Sequence, residues 1–84
     1  MTYSLIITPK AEKELAKLDK TIASNVRKKV YQLVENPHRF IEKVVGSNVY
    51  RARTGDYRIF LDVEKSKKDI IVHAVRHRSN AYKP

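Results

Sequence analysis

Apolar and polar residues alternate at the start of the chain. Tyr3, Leu5 and Ile7 occupy every second position, which predicts a strand with at least one buried face. Thr8 then precedes Pro9, a pair that favours a helix start because threonine caps a helix and proline fits its first turn. The chain is therefore expected to pass from a strand directly into a helix.

Two apolar stripes at helical spacing come next, and each places its members on one face of a helix. The first stripe consists of Ala11, Leu15, Leu18 and Ile22, and the second of Ile22, Val26, Val30, Leu33 and Val34. Asp19 or Thr21 can cap the second helix, which is expected to end at Asn36 because the residue before Pro37 avoids helical geometry. The short joint between the stripes predicts an antiparallel pair of helices.

A β-hairpin is predicted around Gly55-Asp56, which separates two alternating runs. A two-residue turn there pairs the strands from Thr54 with Tyr57 outward to Tyr50 with Leu61. Because side chains alternate in face, one face is apolar and consists of Tyr50, Ala52, Tyr57, Ile59 and Leu61. The other face holds Arg51, Arg53 and Arg58, with Arg53 directly opposite Arg58.

A third strand-like run extends from Asp69 to Arg76 and is apolar at both odd and even positions, as expected of a central or well-covered strand. Residues 38–48 fit neither period and receive no element. The predicted fold is a single α+β domain over residues 1–84. It consists of an N-terminal strand, an antiparallel two-helix hairpin and a three-stranded antiparallel meander that completes one sheet.

Composition adds a strong positive charge to this fold. The 84 residues include 18 Lys and Arg against 9 Asp and Glu, a net charge of +9. Such a domain repels itself, which indicates an anionic partner: nucleic acid, an acidic protein or a membrane surface. No apolar run reaches the length of a membrane span. The absence of cysteine excludes disulfides and fits a reducing cytoplasm.

The three hairpin arginines form the main candidate site. Like charges directly opposite each other destabilise a strand pair, by up to about 1 kcal/mol, and Asp62, near the far end, is the only acidic residue on the same face that is an obvious partner. Guanidinium groups match the oxygens of phosphate. The face is therefore interpreted as an anion-binding surface, and a plain solvated face is the alternative.

Histidine and tyrosine supply the candidate proton-transfer groups. His77 follows the third strand and can exchange a proton beside the arginines, or it can be an ordinary polar strand residue, as can His73. Tyr82 can stack on a base or donate a proton, or it can belong to a frayed end. His38 has no carboxylate at metal-binding spacing, so neither a metal nor another cofactor is predicted.

Two segments carry a resemblance to a known family. The hairpin sequence Tyr50–Arg58 and the closing sequence Arg76–Tyr82 resemble the RelE/ParE toxin superfamily, with the RelE branch closer. The resemblance implies the toxin of a type II toxin–antitoxin system, which enters the ribosomal A site and cuts mRNA without a metal. It implies that Arg51, Arg53 and Arg58 correspond by position to the basic residues on the family's two hairpin strands. It also implies that the family's closing arginine is Arg78 and its tail aromatic is Tyr82.

The clustered arginines lead to a hypothesis for the mechanism, and the resemblance implies the partners. The ribose 2′-hydroxyl attacks the adjacent phosphorus, Arg53, Arg58 and Arg78 stabilise the added charge, and Arg51 activates the hydroxyl or positions the backbone. His77 or Tyr82 donates a proton to the leaving oxygen. The implied partners are a cognate antitoxin, the ribosome and mRNA, with no membrane, and operator DNA only through the toxin–antitoxin complex. Two alternatives stay open: a ParE-like inhibitor of DNA gyrase and a non-catalytic nucleic-acid-binding module.

Overall fold

The computed structural model describes residues 3–36, 41–44, 46 and 49–80. In chain order its elements are β1 (Ser4–Ile7), α1 (Pro9–Ala16), α2 (Lys20–Glu35), β2 (Ile41–Lys43), β3 (Tyr50–Thr54), β4 (Tyr57–Glu64) and β5 (Asp69–His77). The strands form one sheet in the order β1-β5-β4-β3-β2. The predicted α+β fold is confirmed, with β5 in the interior of the sheet as its apolar sequence requires.

Both helices begin at the predicted residues and α2 ends where predicted, whereas α1 ends at Ala16, before Leu18 of its apolar stripe. The side chain of Thr8 accepts a hydrogen bond from the backbone N–H of Ala11 at 3.2 Å, so Thr8 is the N-cap of α1. Asp19 occupies the N-cap position of α2 without a side-chain capping bond, and Asn36 is its C-cap. Neither helix is long and apolar enough to cross a membrane, as judged over the described residues.

The core lies between the helices and one face of the sheet. Its buried residues are Ala11, Leu15, Val26, Val30, Leu33, Ala52, Ile59, Leu61, Ile70, Val72 and Val75. The helical members all belong to the two predicted stripes, of which Leu18 and Ile22 are only partly buried, and the strand members alternate with outward-facing residues. The opposite face of the sheet has no described helix packed on it, and it carries the arginines.

The predicted register of the β3–β4 hairpin is confirmed at every position, from Thr54 with Tyr57 to Tyr50 with Leu61. Gly55 has a φ of +57°, which suits the first central residue of a two-residue turn and disfavours residues with a Cβ. Arg53 lies directly opposite Arg58, as the pattern indicated. The hairpin therefore fixes the position of the two arginines before any other contact is considered.

A β-bulge separates the two halves of the β4–β5 ladder. Phe60 pairs with Ala74, whereas Leu61 pairs with Val72, so His73 is the extra residue. A one-residue shift exchanges the two faces of a strand. Beyond the bulge, Arg76 consequently lies opposite Arg58 on the arginine face.

The structure adds one element that the sequence pattern did not indicate. β2 pairs antiparallel with β3 at the sheet edge and lies within the segment 38–48 to which no element was assigned. A strand of this length shows no period of its own, and edge pairing needs only backbone groups from its neighbour. This strand positions Glu42 opposite Arg51.

We expect Thr8→Ala to lower the free energy of unfolding by about 1 kcal/mol, because it removes the capping oxygen from the first turn of α1. Thr8→Ser is the matched control, since it retains that oxygen and loses only a methyl group. Urea denaturation of the three proteins measures the difference. Equal losses in the serine and alanine variants would show that the cap contributes nothing.

Candidate functional site

Arginines from three adjacent strands meet on the open face of the sheet. Arg51 and Arg53 come from β3, Arg58 from β4 and Arg76 from β5. The strand register places Arg58 between Arg53 on one side and Arg76 on the other. Directly paired residues in antiparallel strands lie about 5 Å apart at their Cα atoms, so the three guanidinium groups are anchored side by side.

Glu42 compensates the two arginines of β3. Its carboxylate lies 3.1 Å from Nη2 of Arg51 and 3.6 Å from Nη2 of Arg53. The expectation that Asp62 is the only obvious acidic partner for these arginines is therefore wrong, because β2 places Glu42 beside them. The Glu42 side chain is 57% exposed, and ion pairs at that exposure contribute about 1 kcal/mol or less. Such weak pairs can be exchanged for a phosphate ligand.

Arg58 has a different environment. Its Nη1 donates to the backbone carbonyls of Gly55 and Tyr57 at 3.2 and 3.1 Å, while its Nε is buried without a hydrogen-bond partner. Within the described ranges, no carboxylate forms an ion pair with Arg58. Two neutral carbonyls orient the guanidinium but leave its charge uncompensated, which favours an anionic ligand.

Arg76 is a site residue that the sequence analysis missed. The sequence pattern places it only at the end of the third strand, whereas the register of the sheet sets it directly opposite Arg58. Its Nε lies 3.8 Å from Oε2 of Glu14, while the other oxygen of that carboxylate accepts a hydrogen bond from the N–H of Val75 at 3.1 Å. Alternation counted from the start of β5 places the Arg76 side chain on the helix-packed face, because that count does not include the bulge at His73.

The remaining predicted residues lie elsewhere. Arg78 follows β5, where its N–H donates to the carbonyl of Asp56 at 2.7 Å and its Nε lies 3.8 Å from that side chain. His77 is on the helix-packed face, with its ring edge-on to Tyr57 at a centroid distance of 5.3 Å. The structure thus brings Arg78 to the hairpin turn but does not bring His77 onto the arginine face. Tyr82 and His38 lie outside the described residues.

One histidine does lie at the arginine face. Nε2 of His73 is 2.7 Å from Oδ2 of Asp62, and both side chains are partly exposed. An ionised carboxylate only accepts hydrogen bonds, so this contact places the proton on Nε2 and leaves Nδ1 for another partner. In the described part of the chain, no group of three or more potential metal ligands is found.

The helices carry a separate ion pair. Arg27 of α2 donates to Glu12 of α1, with Nη2 at 3.1 Å from Oε2. This hydrogen bond raises the pKa of Arg27 above the ordinary value of arginine. The pair lies on exposed helix surface, and among the described residues neither partner forms an ion pair with an arginine of the open face, which makes both residues suitable controls.

A family model and several solved structures match this chain. The family is described as the ParE toxin of the type II toxin–antitoxin system parDE, and its model matches residues 5–82. No curated protein is similar enough to count as a match. The family match spans both helices and all five strands described above except Ser4, the first residue of β1.

Solved structures show the same fold. The RelE–RelB complex from Pyrococcus horikoshii is 30% identical over 96% of this chain and 100% of that chain, with a TM-score of 0.82. A free RelE mutant from Escherichia coli, with two arginines replaced by alanine, is 28% identical over 96% and 88%, with a TM-score of 0.80. The RelBE2 complex from Mycobacterium tuberculosis is 23% identical over 93% and 100%, with a TM-score of 0.87, and shows the fold alone.

We expect Glu42→Gln to increase the affinity for a polyanion, because it releases Arg51 and Arg53 from their shared carboxylate. Binding of a labelled single-stranded oligonucleotide should also depend more steeply on salt, by about 0.7 in the log–log slope for each added phosphate contact. Fluorescence anisotropy over a salt series measures both quantities. Glu12→Gln changes the net charge equally but lies on α1, and an equal gain in that control would contradict the assignment.

Proposed function

The chain belongs to the ParE toxin family of type II toxin–antitoxin systems, and we propose that it is a metal-independent endoribonuclease that cuts mRNA on the ribosome. The proposed partners are therefore a cognate antitoxin, the ribosome and its message, and the proposed site of action is the cytoplasm. Operator DNA is reached only through the toxin–antitoxin complex. The substrate assignment rests on the arginine face rather than on the fold, which several functions can share.

The observation that carries this proposal is the position of Arg58. Its charge is uncompensated among the described residues, and like-charged Arg53 and Arg76 flank it directly. A scaffold alone gains nothing from this arrangement, because each such pair opposes sheet formation. A phosphodiester bound across the three strands relieves the repulsion and receives several charge-assisted hydrogen bonds.

The proposed reaction is an intramolecular transesterification. The ribose 2′-oxygen forms a bond to the adjacent phosphorus, the bond from phosphorus to the 5′-oxygen breaks, and a 2′,3′-cyclic phosphate remains. Arg58 and Arg76 stabilise the negative charge that develops on the phosphoryl oxygens, while Arg51 and Arg53 align the backbone after exchanging Glu42 for phosphate. A preorganised donor of this kind is typically worth about 10²–10³ in rate.

Proton transfer and the flanking contacts are assigned to the end of the chain. Arg78, near the hairpin turn, is proposed to hold a neighbouring phosphate. Tyr82 is proposed as the proton donor to the leaving 5′-oxygen, while the 2′-hydroxyl loses its proton to water. His77 receives no role in this reaction because its ring packs against Tyr57 on the other face.

Two features of the similar structures support the proposal. The archaeal relative was solved as a RelE–RelB complex, which supports an antitoxin partner here. The Escherichia coli mutant carries alanine at two arginines that are separated by one residue, and two arginine pairs of this chain have that spacing, Arg51 with Arg53 and Arg76 with Arg78. A closely spaced arginine pair is therefore a feature that this chain shares with that RelE.

The second candidate is inhibition of DNA gyrase. The description of the matching family as the ParE toxin favours it, and such an inhibitor needs a binding surface but no arrangement of arginines around a phosphate. Supercoiling by purified gyrase in the presence of the toxin measures this activity directly. The two candidates therefore differ in target, assay and dependence on Arg58.

We expect Arg58→Ala and Arg76→Ala each to reduce mRNA cleavage by about 10²–10³, because each removes a donor to the transition-state charge. Primer extension on translated and untranslated message after induced expression measures the cuts. Arg27→Ala is the matched control, since it removes an arginine from α2 and should leave cleavage unchanged. Circular dichroism and thermal unfolding show whether each variant remains folded.

Cuts that appear only on translated message, and that disappear in both sheet variants, support the proposed reaction. Wild-type cleavage by folded Arg58→Ala and Arg76→Ala proteins would contradict it. Loss of gyrase supercoiling without cleavage of message would instead select the second candidate.

A further inference from the structure

A cavity of about 310 Å³ opens on the arginine face beside Arg76. It is lined by Val49, Phe60, His73, Ala74 and Arg76. Its volume is at the lower end of the range for small-ligand sites, about 300–1,000 Å³. Apolar side chains supply most of the lining, and two polar groups lie among them, an arrangement typical of sites for flat, partly polar ligands.

Phe60 supplies an aromatic ring on this face. It is half-buried between Arg51 of β3 and Ala74 of β5. Its neighbour Ala74 has only a methyl side chain, and both residues line the cavity. Aromatic side chains on an exposed sheet are the usual stacking surface for the bases of single-stranded RNA.

The bulge places an imidazole, which forms hydrogen bonds in fixed directions, at the same cavity. As the extra residue of β5, His73 lines the cavity and contacts Asp62 through Nε2 at 2.7 Å. This contact holds the imidazole in one orientation. Within the described residues Nδ1 has no hydrogen-bond partner, so it can bond to the edge of a ligand.

The charged end of the cavity matches a phosphate. Arg76 lines the cavity and lies opposite Arg58 in the ladder. The contact of Arg76 with Glu14 is 3.8 Å long, beyond the distance of a good hydrogen bond. A ligand with a flat ring at one end and a phosphate at the other fits this order of groups.

We propose that this cavity binds one unstacked nucleobase of single-stranded RNA, with the base on Phe60, its edge at His73 Nδ1 and its phosphate at Arg76 and Arg58. The inference rests on the proposed function for its substrate class, but it concerns recognition rather than cleavage. His73 is a specificity residue, and Asp62 is a positioning residue that acts through it. The cavity therefore gives the toxin a preference for one base at a fixed position from the bound phosphate.

The test measures binding without cleavage. The probes are labelled 2′-O-methyl oligoribonucleotides, which cannot undergo 2′-hydroxyl attack, and each is compared with copies that carry one abasic position. Dissociation constants are measured by anisotropy at low salt, where the +9 chain binds polyanions most strongly. The proteins are wild type, Phe60→Ala, Phe60→Tyr, and Tyr31→Ala as a control at an exposed aromatic on α2.

We expect removal of one particular base to weaken wild-type binding about tenfold, the loss typical of one stacked base. Phe60→Ala should cause the same loss with the intact probe and no further loss with that abasic probe, since both changes remove the same contact. Phe60→Tyr and Tyr31→Ala should behave as wild type. The inference would be overturned if Phe60→Ala and removal of the base each lowered the affinity by an amount independent of the other change. It would also be overturned if no abasic position lowered the affinity.

His73→Ala and Asp62→Asn test the reading of the base edge. Probes that differ only in the base at the sensitive position should show a preference in wild type that both variants lose, while affinity for the abasic probe stays unchanged. A preference that survives in both variants would remove His73 from the site. If the Phe60 coupling is found but message is never cut, the base site stands and the proposed reaction is wrong. If message is cut but no coupling is found, the proposed reaction stands and the base site is wrong.

A competing occupant has its own signature. If an apolar side chain of the antitoxin fills the cavity instead of a base, Phe60→Ala weakens antitoxin binding and shows no coupling to any abasic position. That result would overturn the inference, because it assigns the cavity to protein recognition.

Discussion

Side chains alternate in face along β3 and β4, and this alternation connects the core of the protein to its charged surface. Ala52, Ile59 and Leu61 are buried against the helices, so their neighbours along the strands must point to the open face. A slip of one residue would bury guanidinium groups and expose the core. Burial of the apolar face therefore holds the arginines together against their repulsion.

The magnitudes explain why the repulsion is tolerated. Two cross-strand arginine pairs, Arg53 with Arg58 and Arg58 with Arg76, each cost up to about 1 kcal/mol. Complete burial of a side chain such as Ile59 or Leu61 contributes about 1.5–3 kcal/mol. Glu42 reduces the cost at β3 but leaves Arg58 uncompensated. The fold thus supports a cluster of positive charges, and a bound polyanion can relieve their repulsion.

The bulge at His73 has two consequences on one surface. It places Arg76 opposite Arg58, which completes the row of arginines, and it turns His73 towards Asp62 beside Phe60. A ladder continued without it from the pair Glu64–Asp69 would set Val75 opposite Arg58 and point Arg76 towards the helices. β5 also extends beyond its pairing with β1, and there Glu14 covers the N–H of Val75, which protects an otherwise open edge.

The sequence by itself determined the features that depend on neighbouring residues. The cap at Thr8, the end of α2 before Pro37, the turn at Gly55 and the complete β3–β4 register follow from local geometry and burial. Only the tertiary structure decided the position of Glu42, because β2 is placed by edge pairing rather than by a pattern of its own. It likewise decided Arg76 and the His73–Asp62 contact, since a bulge arises from the fit of two strands and leaves no periodic signal in either one.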